Sequence, residues 1–170
     1  MIKSTNYKFY SAIILIIILA FSRVIPHPPN FTPILAVIIF LPFIKKDIAF
    51  SITVPLCAML ISDFFIGMHS LMLWTYFPII VLSLMTYYFH QSSLKRVGVL
   101  AISSPMVFFV ISNFGVWLNS STYANNLNGL ILCYINAIPF YASSALACIL
   151  FSAAFYSITI LIKKNNTVTS

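Results

Sequence analysis

Acidic residues are almost missing from this chain. Its 170 residues hold two, Asp47 and Asp63, with no glutamate, against nine Lys or Arg. Glycine is nearly as scarce, at four. No glycine-rich phosphate loop, Gly-x-Ser-x-Gly elbow or His-Glu-x-x-His helix occurs, which excludes an ATPase or kinase on parts alone and argues against an enzyme. The three cysteines, Cys57, Cys133 and Cys148, stand singly without metal-ligand spacing and read as small packing residues. No apolar segment carries a histidine in its middle, as haem ligation inside a bundle would want, and no cofactor is implied.

Charge of either sign is rare, at 6% of residues, whereas 61% are hydrophobic and the mean hydropathy is +1.03. A soluble domain of this size has no interior large enough to hide that much apolar surface, so the chain reads as an all-α, polytopic membrane protein forming one bundle. The net charge of +7 does not indicate nucleic acid, because the cations fall in small clusters between apolar runs and not along one polar face. A single transmembrane domain over 1–170 is expected, with spans at about 9–24, 32–44, 48–67, 71–89, 97–118 and 139–162. The N-terminal run resembles a secretory signal in outline, but Ala20-Phe21-Ser22 is a poor cleavage site, and a retained first span is expected. The second span is short and opens at Pro33, with Asn30 or Thr32 as its expected cap.

With six crossings, Lys3, Lys8, Lys45, Lys46, Lys95, Arg96, Lys163 and Lys164 share one side and Arg23 alone lies on the other. The positive-inside rule then puts both termini in the cytoplasm of a cell with this protein in its cytoplasmic membrane. Aromatic residues at span ends agree, with Tyr7, Tyr10, Tyr87 and Tyr88 inside and Trp74 and Trp117 outside. Between the fifth and sixth spans, Leu127, Leu130, Ile131, Tyr134 and Ile138 recur at helical spacing. That spacing predicts a separate amphipathic helix near 126–138, lying on the outer interface or folded over the bundle as a lid.

The unusual polar residues gather at the outer end. Asp63 lies one turn below the end of the third span, where a carboxylate in hydrocarbon needs a cavity or a cationic partner. Arg23, the sole outer cation, is that expected partner. His27 and Asn30 follow in a proline-rich segment, His69 lies just past the third span, and Asn113 sits one turn below the end of the fifth. Together with the aromatic Trp74, Trp117 and Tyr134 these form the candidate ligand site, Arg23 and Asp63 anchoring charged groups and the others orienting the ligand or supplying apolar contact. Two alternatives stand beside it: a metal-binding protein or enzyme using His27, Asp63 and His69, and a structural subunit whose polar cluster only holds the bundle together.

The motifs Arg23-x-x-Pro26-His27-Pro28-Pro29-Asn30-Phe31-Thr32-Pro33, Ser62-Asp63-Phe64-Phe65-Ile66-Gly67-Met68-His69, Asn113-Phe114-Gly115-Val116-Trp117 and Cys133-Tyr134-x-x-Ala137-Ile138-Pro139-Phe140 carry a further resemblance. Over roughly residues 9–160 the chain resembles a family of uncharacterised bacterial membrane proteins described as substrate-binding (S) components of energy-coupling-factor transporters. The resemblance implies a six-helix bundle capturing a vitamin-like or other small nutrient on its outer side. It also implies partners, namely a transmembrane coupling subunit and cytoplasmic ATPases, besides the lipid bilayer. The first span departs from the Ala-x-x-x-Ala pattern of such components, since Ala12 and Ala20 stand eight apart among isoleucines.

Overall fold

The computed structural model describes residues 2–90, 93–119 and 121–168, with backbone alone for 2–9, 11 and 162–168. The side chains of Lys3, Tyr7, Lys8, Lys163 and Lys164, used above to orient the chain, lie outside that description. The described residues form six helices: α1 Ile2–Val24, α2 Ile34–Ile44, α3 Ile48–Ile66, α4 Met72–Phe89, α5 Leu94–Asn119 and α6 Leu127–Val168. Among the described residues there is no strand. Four helices among the described residues, within α3, α4, α5 and α6, are long and apolar enough to cross a membrane.

Side chains are sorted inversely to those of a soluble protein. Ser51, Ser62, Ser83, Thr86 and Ser104 are fully buried, whereas Phe64, Phe65, Leu73, Ile102 and Leu161 stand exposed. An apolar exterior around a core that tolerates hydroxyls is what lipid contact favours, because lipid-facing side chains need no polar group. Ser51, Ser62 and Ser83 donate to carbonyls three or four residues back, Ser83 to that of Ile79 at 2.8 Å, whereas Ser104 has no partner among the described residues. The molecule is a helical membrane bundle.

Helix α2 is its axle. Every residue from Ile34 to Pro42 is buried, with α3, α4, α5 and α6 packed around it. Its 11 residues rise only about 16 Å, half of a hydrocarbon core. It occupies one half of the bundle: the Thr86 hydroxyl donates to the Ile38 carbonyl at 3.1 Å, and Phe43 meets the His90 ring at 5.7 Å. Thr86 and His90 lie at the carboxyl end of α4, which shares its end of the bundle with Lys45, Lys46, Lys95 and Arg96. Residues 25–33 join α2 to the end of α1 as a non-helical strap. Four prolines, at 26, 28, 29 and 33, deny that strap a helix by fixing φ and removing donors. Asn30 turns it through a positive φ of 61°, a conformation asparagine tolerates better than most residues.

Two sequence expectations are corrected here. Neither Asn30 nor Thr32 caps α2; its N-cap is Pro33, with no side-chain bond. The segment 126–138 is not a separate interfacial helix but the first part of α6, which runs unbroken through Pro139. An internal proline frees one carbonyl, and neighbouring helices in a membrane bundle make that tolerable. This first part of α6 lies along α5, where the Tyr134 hydroxyl donates to the Val110 carbonyl at 2.7 Å and Phe109 packs on Tyr141 with centroids 5.1 Å apart. Asn126 starts the helix by accepting the Gly129 amide at 2.9 Å.

Candidate functional site

Because α2 fills only half of the bundle axis, the other half is left for the strap and for open space. A chamber of about 340 Å³ occupies it, lined by Arg23, His27, Asn30 and Thr32, by Ile34 and Leu35 of α2, and by Met59, Ile66, Thr75, Ile79, Phe108 and Ser144 of the surrounding helices. That volume falls in the lower range of small-molecule sites, and the mixed lining is of the usual kind, mostly apolar with a few convergent polar groups. Ile79 lies seven residues beyond Met72, so the chamber reaches about 10 Å along α4 from its start.

Arg23 enters from the last turn of α1, and α3 holds it. Its Nη1 donates to Asp63 Oδ1 at 2.6 Å and to the Met59 carbonyl at 3.3 Å, and also bonds the Ser62 hydroxyl. The second Asp63 oxygen accepts the Tyr76 hydroxyl of α4 at 2.7 Å. Asp63 is 1% exposed and has a donor on each oxygen. It stands behind Arg23 and outside the chamber lining. A charge pair with a donor on each carboxylate oxygen is the arrangement in which a buried carboxylate is tolerable.

Of the nine residues expected at the site, three line the main chamber: Arg23, His27 and Asn30. His27 is fixed by its Nδ1, which donates to the Ile25 carbonyl at 2.6 Å. Asn113 does not reach that chamber. It lines two adjoining hollows of about 80 Å³ and about 390 Å³, and its amide donates to the Phe109 carbonyl at 2.8 Å. Asn30 lines all three spaces, so the turn of the strap separates them. The aromatic candidates and His69 stand apart. Trp74 lies over Gly115, where an added Cβ would come within 1.9 Å of its ring. Trp117 donates to the Ala124 carbonyl at 3.0 Å and so ties the α5–α6 connection to α5. Tyr134 secures α6 to α5, as above, and His69 sits exposed in the α3–α4 turn.

Among the described residues no three His, Cys, Asp or Glu side chains stand close enough to hold a metal ion. The trio His27, Asp63 and His69 is therefore not assembled. Sequence reasoning missed Tyr76, Thr75 and Ser144. Ser144 had a visible signal, a small polar residue four before Cys148 in the sixth span, but that spacing reads as helix packing. Tyr76 carried none, since tyrosines near span ends are ordinarily interfacial.

The fold and chamber define a class: a helical membrane protein with a half-depth chamber of mixed lining over a half-length central helix. Within that class, the chain belongs to a family of unknown function (DUF6580), whose model matches residues 3–169. Comparison with curated proteins and with solved structures finds no match.

Proposed function

We propose that this protein is a membrane-embedded binding subunit, capturing a vitamin-like or other small solute in the Arg23 chamber for import as an S component of an energy-coupling-factor transporter does. The observation that carries this reading is the chamber: a cavity of ligand size, reached by an arginine whose charge is already matched by Asp63. A cluster serving packing alone has no reason to leave such a space beside it. The resemblance of the four sequence motifs to a family described as such components is what suggests this type of importer. On this reading the lysine-bearing end faces the cytoplasm, the chamber opens outward, and the role is binding, not catalysis.

The test is recovery of the tagged chain from its native host in mild detergent, with mass spectrometry of what accompanies it. A coupling subunit with ATPases, or a bound small molecule, is expected. A folded chain carrying neither would move the balance to a structural subunit.

A further inference from the structure

The amino end of α2 forms the floor of the main chamber, and its amides are unsatisfied. The first backbone bond there runs from the Val37 N–H to the Pro33 carbonyl at 2.8 Å, and no side chain caps the helix. The N–H groups of Ile34, Leu35 and Ala36 thus have no acceptor among the described residues. At a protein surface water would take such groups; a buried helix end without partners calls for another acceptor. These three residues are buried, and Ile34 and Leu35 face the chamber. Asn30 and Thr32 lie within capping reach in sequence, yet neither occupies the amides.

Two further donors point the same way. Ser144, only 6% exposed, lines the chamber, and its hydroxyl has no partner among the described residues. Arg23 makes all its bonds through Nη1, which leaves Nη2 and Nε unengaged on a side chain 17% exposed. The carboxylate beside them, Asp63, is already used by Arg23 and Tyr76. Among the described residues no carboxylate lines the chamber, so these donors face no anionic acceptor of the protein's own.

We infer that the chamber floor is an oxyanion receptor, taking the carboxylate or phosphate head of a small solute on the α2 amides, the Ser144 hydroxyl and the free edge of Arg23. This rests on the binding role proposed above and narrows it to acids. The partial positive charge at a helix amino end, strengthened by low-dielectric surroundings, supplements an arginine shared with Asp63. Met59, Ile66, Ile79 and Phe108 surround the body of the solute, so a compact acid with an apolar portion fits best.

The experiment uses the full chain in neutral detergent and in phosphatidylcholine nanodiscs, with thermal unfolding read against matched probes. These are benzoate and benzamide, hexanoate and hexanamide, and phenyl phosphate and phenol. The acid of at least one pair should raise Tm and its neutral partner should not. Stabilisation in nanodiscs free of anionic lipid identifies a soluble acid as the source. Stabilisation only when phosphatidylglycerol is added assigns the same receptor to a lipid headgroup. Ser144→Ala should weaken acid binding about tenfold, the usual effect of losing one hydrogen bond to a charged group. Thr32→Asp, which brings a carboxylate to the α2 amides, should abolish the acid response while leaving basal Tm unchanged or raised. The paired change Arg23→Gln with Asp63→Asn avoids a stranded charge and should also remove it. Equal stabilisation by acids and neutral partners would overturn the receptor while leaving the binding role standing. The receptor also falls if neither acids nor phosphatidylglycerol stabilise the chain, or if Thr32→Asp keeps the full acid response.

Discussion

Asp63 shows how a single costly residue is accommodated. Its two oxygens face Arg23 and Tyr76, so removing either partner strands charge or a lone pair inside the bundle. Asp63→Asn leaves the guanidinium without its counter-ion, and breaking a buried pair from one side costs about 3–5 kcal/mol. Tyr76→Phe leaves one carboxylate oxygen without a donor, at about 1–3 kcal/mol. Thermal unfolding in detergent should therefore rank wild type above Tyr76→Phe and Tyr76→Phe above Asp63→Asn. Combining Arg23→Gln with Asp63→Asn should recover part of the loss, and strict additivity in that double-mutant cycle would show the pair uncoupled. Arg23→Lys is not conservative here. An ammonium ion is a point donor, and it cannot hold Asp63 while presenting a second edge to the chamber.

At the scale of elements, helix ends and close approaches carry the specificity. α3 begins at Asp47, whose Oδ1 accepts the Phe50 amide at 2.9 Å and whose Oδ2 meets Lys45 Nζ at 2.7 Å. The Lys45 bond, followed by the Phe50 amide, holds this carboxyl below the usual aspartate range. A group with a depressed folded-state pKa stabilises above its unfolded value, and that contribution disappears as pH falls through the folded one. Acid unfolding of the wild type should thus include a component setting in below about pH 4 that Asp47→Asn lacks. Its size is small, because the ion pair is open to solvent and screened. Replacing the cap by alanine should lower stability by about 1 kcal/mol at neutral pH. Gly115 poses a harder constraint: a methyl group there meets the Trp74 ring, not a flexible side-chain tip. Gly115→Ala should separate α4 from α5 and lower Tm by several degrees, the scale of about 1–3 kcal/mol for overpacking. An unchanged Tm and tryptophan emission would mean the ring swings away freely.

The same elements explain what was legible in the sequence. Helices α3, α4 and α5 announce themselves through long apolar runs, and the pairing of Arg23 with Asp63 follows from each being the only one of its kind at that end. The unity of α6 was hidden, because polar residues before it and Pro139 within it mimic a boundary that membrane packing overrides. The uncapped floor was hidden for the opposite reason. Asn30 and Thr32 before Pro33 are good capping chemistry, and only the tertiary path of the strap leaves both without a bond to the α2 amides. Among the site candidates, His27 and Asn30 lie on that strap, so they were found by proximity to Arg23. Ser144 and Thr75 come from distant helices and share nothing with it in sequence.

For the whole molecule, the two ends of the bundle differ in both charge and shape. One end carries Lys45, Lys46, Lys95 and Arg96, and a cleft of about 570 Å³ there is lined by Lys95 and Arg96 between α4 and α5. The other end carries the strap, the exposed α3–α4 turn and the chamber beside Arg23. If the proposed orientation holds, cations are retained on the cytoplasmic side, and the chamber samples the outside. Cysteines placed one at a time, with Cys57 replaced by serine, separate the two orientations. Cys133 and Cys148 are buried and contribute little background. Asn126→Cys and His69→Cys should react in intact cells with a membrane-impermeant maleimide, and Ser93→Cys only after the membrane is opened. The reverse pattern would point the chamber into the cytoplasm. An importer's capture subunit cannot work that way round, so one labelling gel bears on both the topology and the role.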